Sequence, residues 1–67
     1  MADLWRGEVT VVSHGKKAMK VSYENEDAWI PYSQVHDDST VYEKTDPGET
    51  EELVIPLWLA EAKGWEK

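Results

Sequence analysis

Cysteine and phenylalanine are both absent from this 67-residue chain, and lysine plus arginine number only 7 against 14 acids. Without cysteine there is neither a disulfide framework nor a thiolate zinc site to support a small core. No apolar run approaches the length needed to cross a bilayer, and Met1–Arg6 lacks the basic-then-apolar form of a signal peptide. The expected compartment is the cytoplasm, with no membrane association. The shortage of cations leaves a net charge of -7. Such acidity disfavours non-specific loading onto a phosphate backbone, which depends on lysine and arginine displacing counterions. The motifs G-x-x-x-x-G-K-[ST], G-x-G-x-x-G and G-x-S-x-G are also missing.

What is present is large and aromatic: four Trp and three Tyr among the valines, leucines and isoleucines. A domain of this size buries only about 60% of its unfolded surface. The chain is therefore read as one domain, 1–67, with a core over roughly 4–65. Charge is unevenly placed. Residues 1–20 hold four cations against two acids, whereas residues 21–62 hold eleven acids against Lys44 alone. The acidic stretch is read first as a solvated face, and second as a surface aimed at a basic site on a partner.

Trp5–Val12 alternates as a strand, with Trp5, Gly7, Val9 and Val11 on one face. His14-Gly15 is the expected hairpin turn, and Lys17–Tyr23 returns with Met19, Val21 and Tyr23 facing the core. Glu24–Asp27 forms a second turn, and Ala28–Ile30 a third strand stopped by Pro31. Ser33 is placed to cap a short turn through Gln34–His36, with Val35 inward. Thr40–Glu43 reads as a fourth strand. It is followed by a type II turn at Asp46-Pro47-Gly48-Glu49 and a fifth strand, Glu51–Ile55. Pro56 suits a helix start and Gly64 a helix stop, giving a helix over Leu57–Lys63. The expected fold is mainly β: a curled five-stranded antiparallel sheet or barrel, SH3-like or OB-like, with a short C-terminal helix.

His36-Asp37-Asp38-Ser39 gathers catalytic residue types, but adjacency in sequence is the wrong geometry for a triad, and Asp and Ser favour turns. His14 at a hairpin tip is expected to be exposed, and two histidines without cysteine do not make a zinc site. The carboxylates of residues 43–52 lack the spacing of a calcium loop. So short a chain also has little material to enclose a pocket of the usual ≈ 300–1,000 Å³. No enzyme activity, cofactor or metal is expected. Trp29 and Trp58 are assigned to the core. Trp5 and Trp65, near the termini, are candidate interface anchors that with Glu49, Glu51 and Glu52 make a candidate partner surface. The rival surface is for single-stranded nucleic acid, through Arg6, Lys16, Lys17 and Lys20 with Trp5, Tyr23 and Trp29 as stacking platforms.

Two segments share an aliphatic-proline step close to a tryptophan: Trp29-Ile30-Pro31-Tyr32-Ser33-Gln34-Val35 and Ile55-Pro56-Leu57-Trp58-Leu59-Ala60, the latter running on to Lys63-Gly64-Trp65. The pair resembles small uncharacterised domains of bacteriophage and prophage genomes, which carry W-I-P-K-S-Q-I and V-P-x-W-L-A-x-x-K-G-L. Here Tyr32 stands for the usual lysine and Trp65 for leucine. The resemblance spans roughly residues 8–65. It implies a phage or mobile-element origin and an intracellular protein, and it assigns no catalytic or binding residue. The expected function is a non-enzymatic module acting through protein–protein contact, with self-association as a further route. In a phage setting it would be an acidic inhibitor or accessory factor of a DNA-metabolism or host-defence protein.

Overall fold

A computed structural model describes residues 3–65. Four strands form one antiparallel sheet: β1 (Leu4–His14), β2 (Ala18–Tyr23), β3 (Glu26–Pro31) and β4 (Thr50–Pro56). The spatial order is β3-β2-β1-β4. Among the described residues one α-helix, α1 (Leu57–Ala62), follows β4 directly. The long first strand organises the sheet. Its first half, Leu4–Thr10, pairs with β4, and its second half, Thr10–His14, pairs with β2. Of the expected curled five-stranded antiparallel sheet or barrel with a short C-terminal helix, the antiparallel sheet and the helix are present, but the sheet has four strands among the described residues and does not close into a barrel.

The missing strand is Thr40–Glu43. Its segment does lie beside β4. The His36 N–H donates to the Val54 carbonyl at 2.8 Å, and the Thr40 and Val41 N–H groups both donate to the Glu52 carbonyl at 3.0 and 3.1 Å. Hydroxyl groups supply the remaining contacts, and no regular ladder forms. Ser39 Oγ accepts from the Val54 N–H at 2.8 Å and donates to the Val54 carbonyl at 3.1 Å. Thr40 Oγ1 accepts from the Glu52 N–H at 2.9 Å. Serine and threonine side chains compete with backbone partners in this way. The outer edge of β4 is covered without a further strand. β4 itself reads Leu53-Val54-Ile55, and all three residues are fully buried.

The two-residue β2–β3 turn places Glu24 and Asn25 at φ 49° and 68°, the positive-φ pair of a type I′ hairpin. The first hairpin turns at Lys16-Lys17, not at His14-Gly15: the Gly15 N–H donates to the Ala18 carbonyl at 2.7 Å. Asp46–Glu49 is a type II turn, with Gly48 at φ +95° and the Glu49 N–H donating to the Asp46 carbonyl at 3.1 Å. The 3₁₀ turn covers Tyr32–Gln34 with Pro31 at its N-cap position, so Ser33 lies within the turn and caps nothing.

Core assignments for the tryptophans invert the expectation. Trp5 and Trp65 are 6% and 8% exposed, while Trp29 and Trp58 are 47% and 58% exposed. At the end of α1 the Trp65 N–H donates to the Ala60 carbonyl at 2.9 Å and the Gly64 N–H to the Glu61 carbonyl at 3.0 Å. Gly64 sits at φ +80°. These are the paired bonds of a Schellman motif, which folds the following apolar residue back onto the structure. Trp65 thereby meets Trp5 (ring centroids 5.1 Å) and Tyr23 (5.3 Å), and Trp5 meets Tyr23 edge-on at 5.0 Å. Met19, Val21, Ile30, Leu53, Ile55 and Leu59 continue the core beneath this cluster.

Candidate functional site

The site grows from a defect in β1. Val11 pairs with Val21, but Ser13, not Val12, pairs with Lys20. One residue is thus bulged out, and the alternation of faces reverses beyond it. His14 consequently pairs with Met19 on the core side and is half-buried rather than exposed. Its Nε2 donates to the Thr45 carbonyl at 2.5 Å, and its Nδ1 lies 2.6 Å from the Tyr32 hydroxyl. With Nε2 carrying the proton, the phenolic proton is directed to Nδ1. With both nitrogens protonated, it turns to the Gly15 carbonyl at 3.3 Å.

His14 thus holds two separate segments, the 3₁₀ turn through Tyr32 and the 42–45 turn through Thr45. Thr45 is buried and closes its own turn. Its Oγ1 accepts from the Tyr42 N–H at 3.0 Å, and its N–H donates to the Tyr42 carbonyl at 3.0 Å. Between these segments lies a groove of about 350 Å³, at the low end of the usual ≈ 300–1,000 Å³ for ligand sites. Its lining includes Tyr32 and Tyr42, Val35 and Val41, and the acids Asp37 and Glu43. Val41 is fully buried, whereas Tyr42 is 54% exposed.

No lysine or arginine among the described residues lines this groove. Among the described residues, neither Asp37 nor Glu43 forms an ion pair. Burial, and secondly the negative charge of Glu43, push the Tyr32 phenol above its usual range. His36 Nδ1 accepts the Asp38 N–H at 3.0 Å, a role open only to an unprotonated nitrogen. That argues against reading the 3.7 Å approach of the same nitrogen to the Asp38 carboxylate as an ion pair. His36–Ser39 is a turn, as its composition predicts; its Asp38 reaches Arg6 at 3.3 Å.

The residues singled out in the sequence are scattered. Trp5 and Trp65 are buried in the aromatic cluster and present little surface. Glu49 is exposed in the type II turn; Glu51 and Glu52 are half-buried, successive in β4, and point to opposite faces. Glu52 pairs with Arg6 at 3.5 Å. Of the basic set, Arg6 is held by Asp38 and Glu52, and Lys20 lies 3.8 Å from Asp27. Lys16 and Lys17 are exposed at the hairpin turn. Trp29 lies opposite Lys20 and beside Gly15, so of the three proposed stacking platforms it alone is solvent-facing; Tyr23 is half-buried in the aromatic cluster.

Sequence reasoning missed His14, Tyr32, Tyr42 and Glu43. The available signal was Val11-Val12, a second β-branched residue out of phase with the alternation, which marks a bulge. Among the described residues, no group of three or more His, Asp or Glu side chains is placed to hold a metal ion, and no helix is long and apolar enough to cross a membrane. No protein-family model, curated protein or solved structure matches this chain.

Proposed function

We propose that this chain is a small non-enzymatic binding module that acts through protein–protein contact. In this reading it is an acidic inhibitor or accessory factor of a DNA-metabolism or host-defence protein, of phage or mobile-element type, working in the cytoplasm. The observation that carries the reading is the groove lined by Tyr32 and Tyr42 together with Asp37 and Glu43, whose carboxylates form no ion pair among the described residues. Its walls are fixed through His14 before any partner arrives, which lowers the ordering cost of binding. The net charge of -7 adds steering toward a basic surface. The paired Trp/Pro motifs support the phage assignment.

The test is affinity capture from bacterial host lysate with wild-type protein and a Tyr42→Ala/Glu43→Gln double variant. A host protein retained by the first and lost from the second is the expected result. Retention by neither would overturn the reading.

One observation favours a second reading, single-stranded nucleic-acid binding at the first hairpin. Exposed Trp29 stands opposite Lys20 and adjoins the turn that carries Lys16 and Lys17, a stacking face beside positive charge. Arg6 is drawn away from it by two carboxylates. Salt-sensitive mobility shifts of single-stranded DNA or RNA, abolished by Lys16→Glu/Lys17→Glu, would replace the first reading with this one.

A further inference from the structure

We infer that the groove between the 3₁₀ turn and residues 39–43 receives an arginine side chain from a basic segment of the partner. The inference rests on the protein–protein reading above and names the group that the site recognises.

Three properties converge on a guanidinium. Tyr32 and Tyr42 both line the groove, and the negative faces of aromatic rings attract cations. Asp37 and Glu43 supply carboxylates that no described residue neutralises by an ion pair. A carboxylate accepts two parallel N–H donors from one guanidinium. The volume of about 350 Å³ suits one long side chain with its aliphatic stem, and half-buried Val35 offers apolar surface to that stem.

Lysine fits less well. Its ammonium is compact and strongly hydrated, while the guanidinium is planar, weakly hydrated and able to stack on a ring. A phosphate-bearing ligand is disfavoured by the same two carboxylates. Preorganisation completes the argument. The Tyr32 hydroxyl is fixed by His14, and the turn presenting Tyr42 and Glu43 is closed by Thr45, whose carbonyl the same imidazole binds.

The experiment is amide chemical-shift mapping with three capped pentapeptides of glycine and two X residues, where X is arginine, lysine or the uncharged isostere citrulline. The arginine peptide should perturb Tyr32, Val41, Tyr42 and Glu43 saturably, with lysine weaker and citrulline weakest. Tyr42→Ala and Glu43→Gln should each weaken arginine binding by about twofold to fivefold, the scale of one solvent-exposed cation–π or ionic contact. Asp37→Asn provides a second charge-neutralising variant, and a thermal melt confirms that each variant folds. Equal binding of citrulline, or arginine-induced shifts confined to Glu49–Glu52, would overturn the groove assignment while leaving an acidic binding module intact. No binding by any basic peptide would overturn it as well, and the lysate capture then decides the broader reading separately.

Discussion

The Tyr32 hydroxyl lies 2.6 Å from Nδ1 of His14, and this contact joins parts of the chain that no strand pairing connects. Through its other nitrogen His14 binds the Thr45 carbonyl, so one imidazole links β1, the 3₁₀ turn and the 42–45 turn. His14→Ala should leave the Thr45 carbonyl short of a partner and the Tyr32 hydroxyl with only the long 3.3 Å bond to the Gly15 carbonyl. A loss of about 1–3 kcal/mol follows from unsatisfied groups of this kind. Urea denaturation measures it, and amide exchange should rise in residues 42–45 ahead of β2. A variant as stable as wild type would show that the contact contributes nothing net.

Tyr32 also sets an alkaline limit. Burial, with a smaller contribution from the Glu43 carboxylate, raises its pKa in the folded state. A raised pKa means that the folded protein holds the phenolic proton more tightly than the unfolded chain. The associated stability is complete below the ordinary tyrosine value of about 10 and is lost as pH climbs through the folded value. Stability measured from neutral pH upward should therefore decline past that point, and Tyr32→Phe should flatten the decline. Glu43→Gln should move the phenolate transition of Tyr32 downward in pH. An alkaline limb unchanged by Tyr32→Phe would assign it to other groups.

Gly7 allows the Trp5 indole to lie back along its own strand. A Cβ at position 7 would stand 2.7 Å from Trp5 Cζ2, closer than real Cβ atoms approach. In an ordinary strand, replacing glycine with alanine gains about 0.5–1 kcal/mol. Here the clash outweighs that gain, because the indole is confined by Tyr23 and Trp65 and cannot swing aside. Gly7→Ala should destabilise by about 1–3 kcal/mol, as overpacking does. A more stable variant would show that the aromatic cluster can shift.

Much of the sheet was legible because its signals are local. Alternation located β1 and β2, the turn at Glu24-Asn25 and the stop near Pro31 located the middle of β3, Pro47-Gly48 located a turn, and Pro56 with Gly64 bracketed α1. The errors came from choices that only tertiary context makes. Thr40–Glu43 has strand composition, yet Thr40 and Val41 both donate to the one Glu52 carbonyl while the Ser39 and Thr40 hydroxyls take the β4 N–H groups, so no regular ladder forms. The bulge at Val12 changed which face His14 joins, and the groove follows from that change. The tryptophan assignment failed because nearness to a terminus was taken as exposure. The Schellman motif instead turns Trp65 inward, and the pairing of Leu4–Thr10 with β4 places Trp5 at the centre of the core. In Lys63-Gly64-Trp65, an apolar residue directly after the glycine was the readable sign of that motif.

The two exposed tryptophans give the sharpest test of this arrangement. Trp58 lies on the face of α1 away from Leu59 and Ala60, which are the buried residues of that helix. Trp58→Ala should change stability by no more than about 0.5 kcal/mol, the range for surface substitutions. Trp65→Ala, which empties a site beside Trp5 and Tyr23, should cost about 3–5 kcal/mol, the range for deleting a buried large aromatic. For a domain this small, such a loss is a large fraction of its total stability, so the Trp65 variant should be substantially unfolded at room temperature. Parallel urea melts followed by circular dichroism compare the two without relying on tryptophan fluorescence, which both substitutions alter. If the Trp58 variant were the one to unfold, α1 would have to dock through its other face, and the Schellman turn that carries Trp65 into the core would be misplaced.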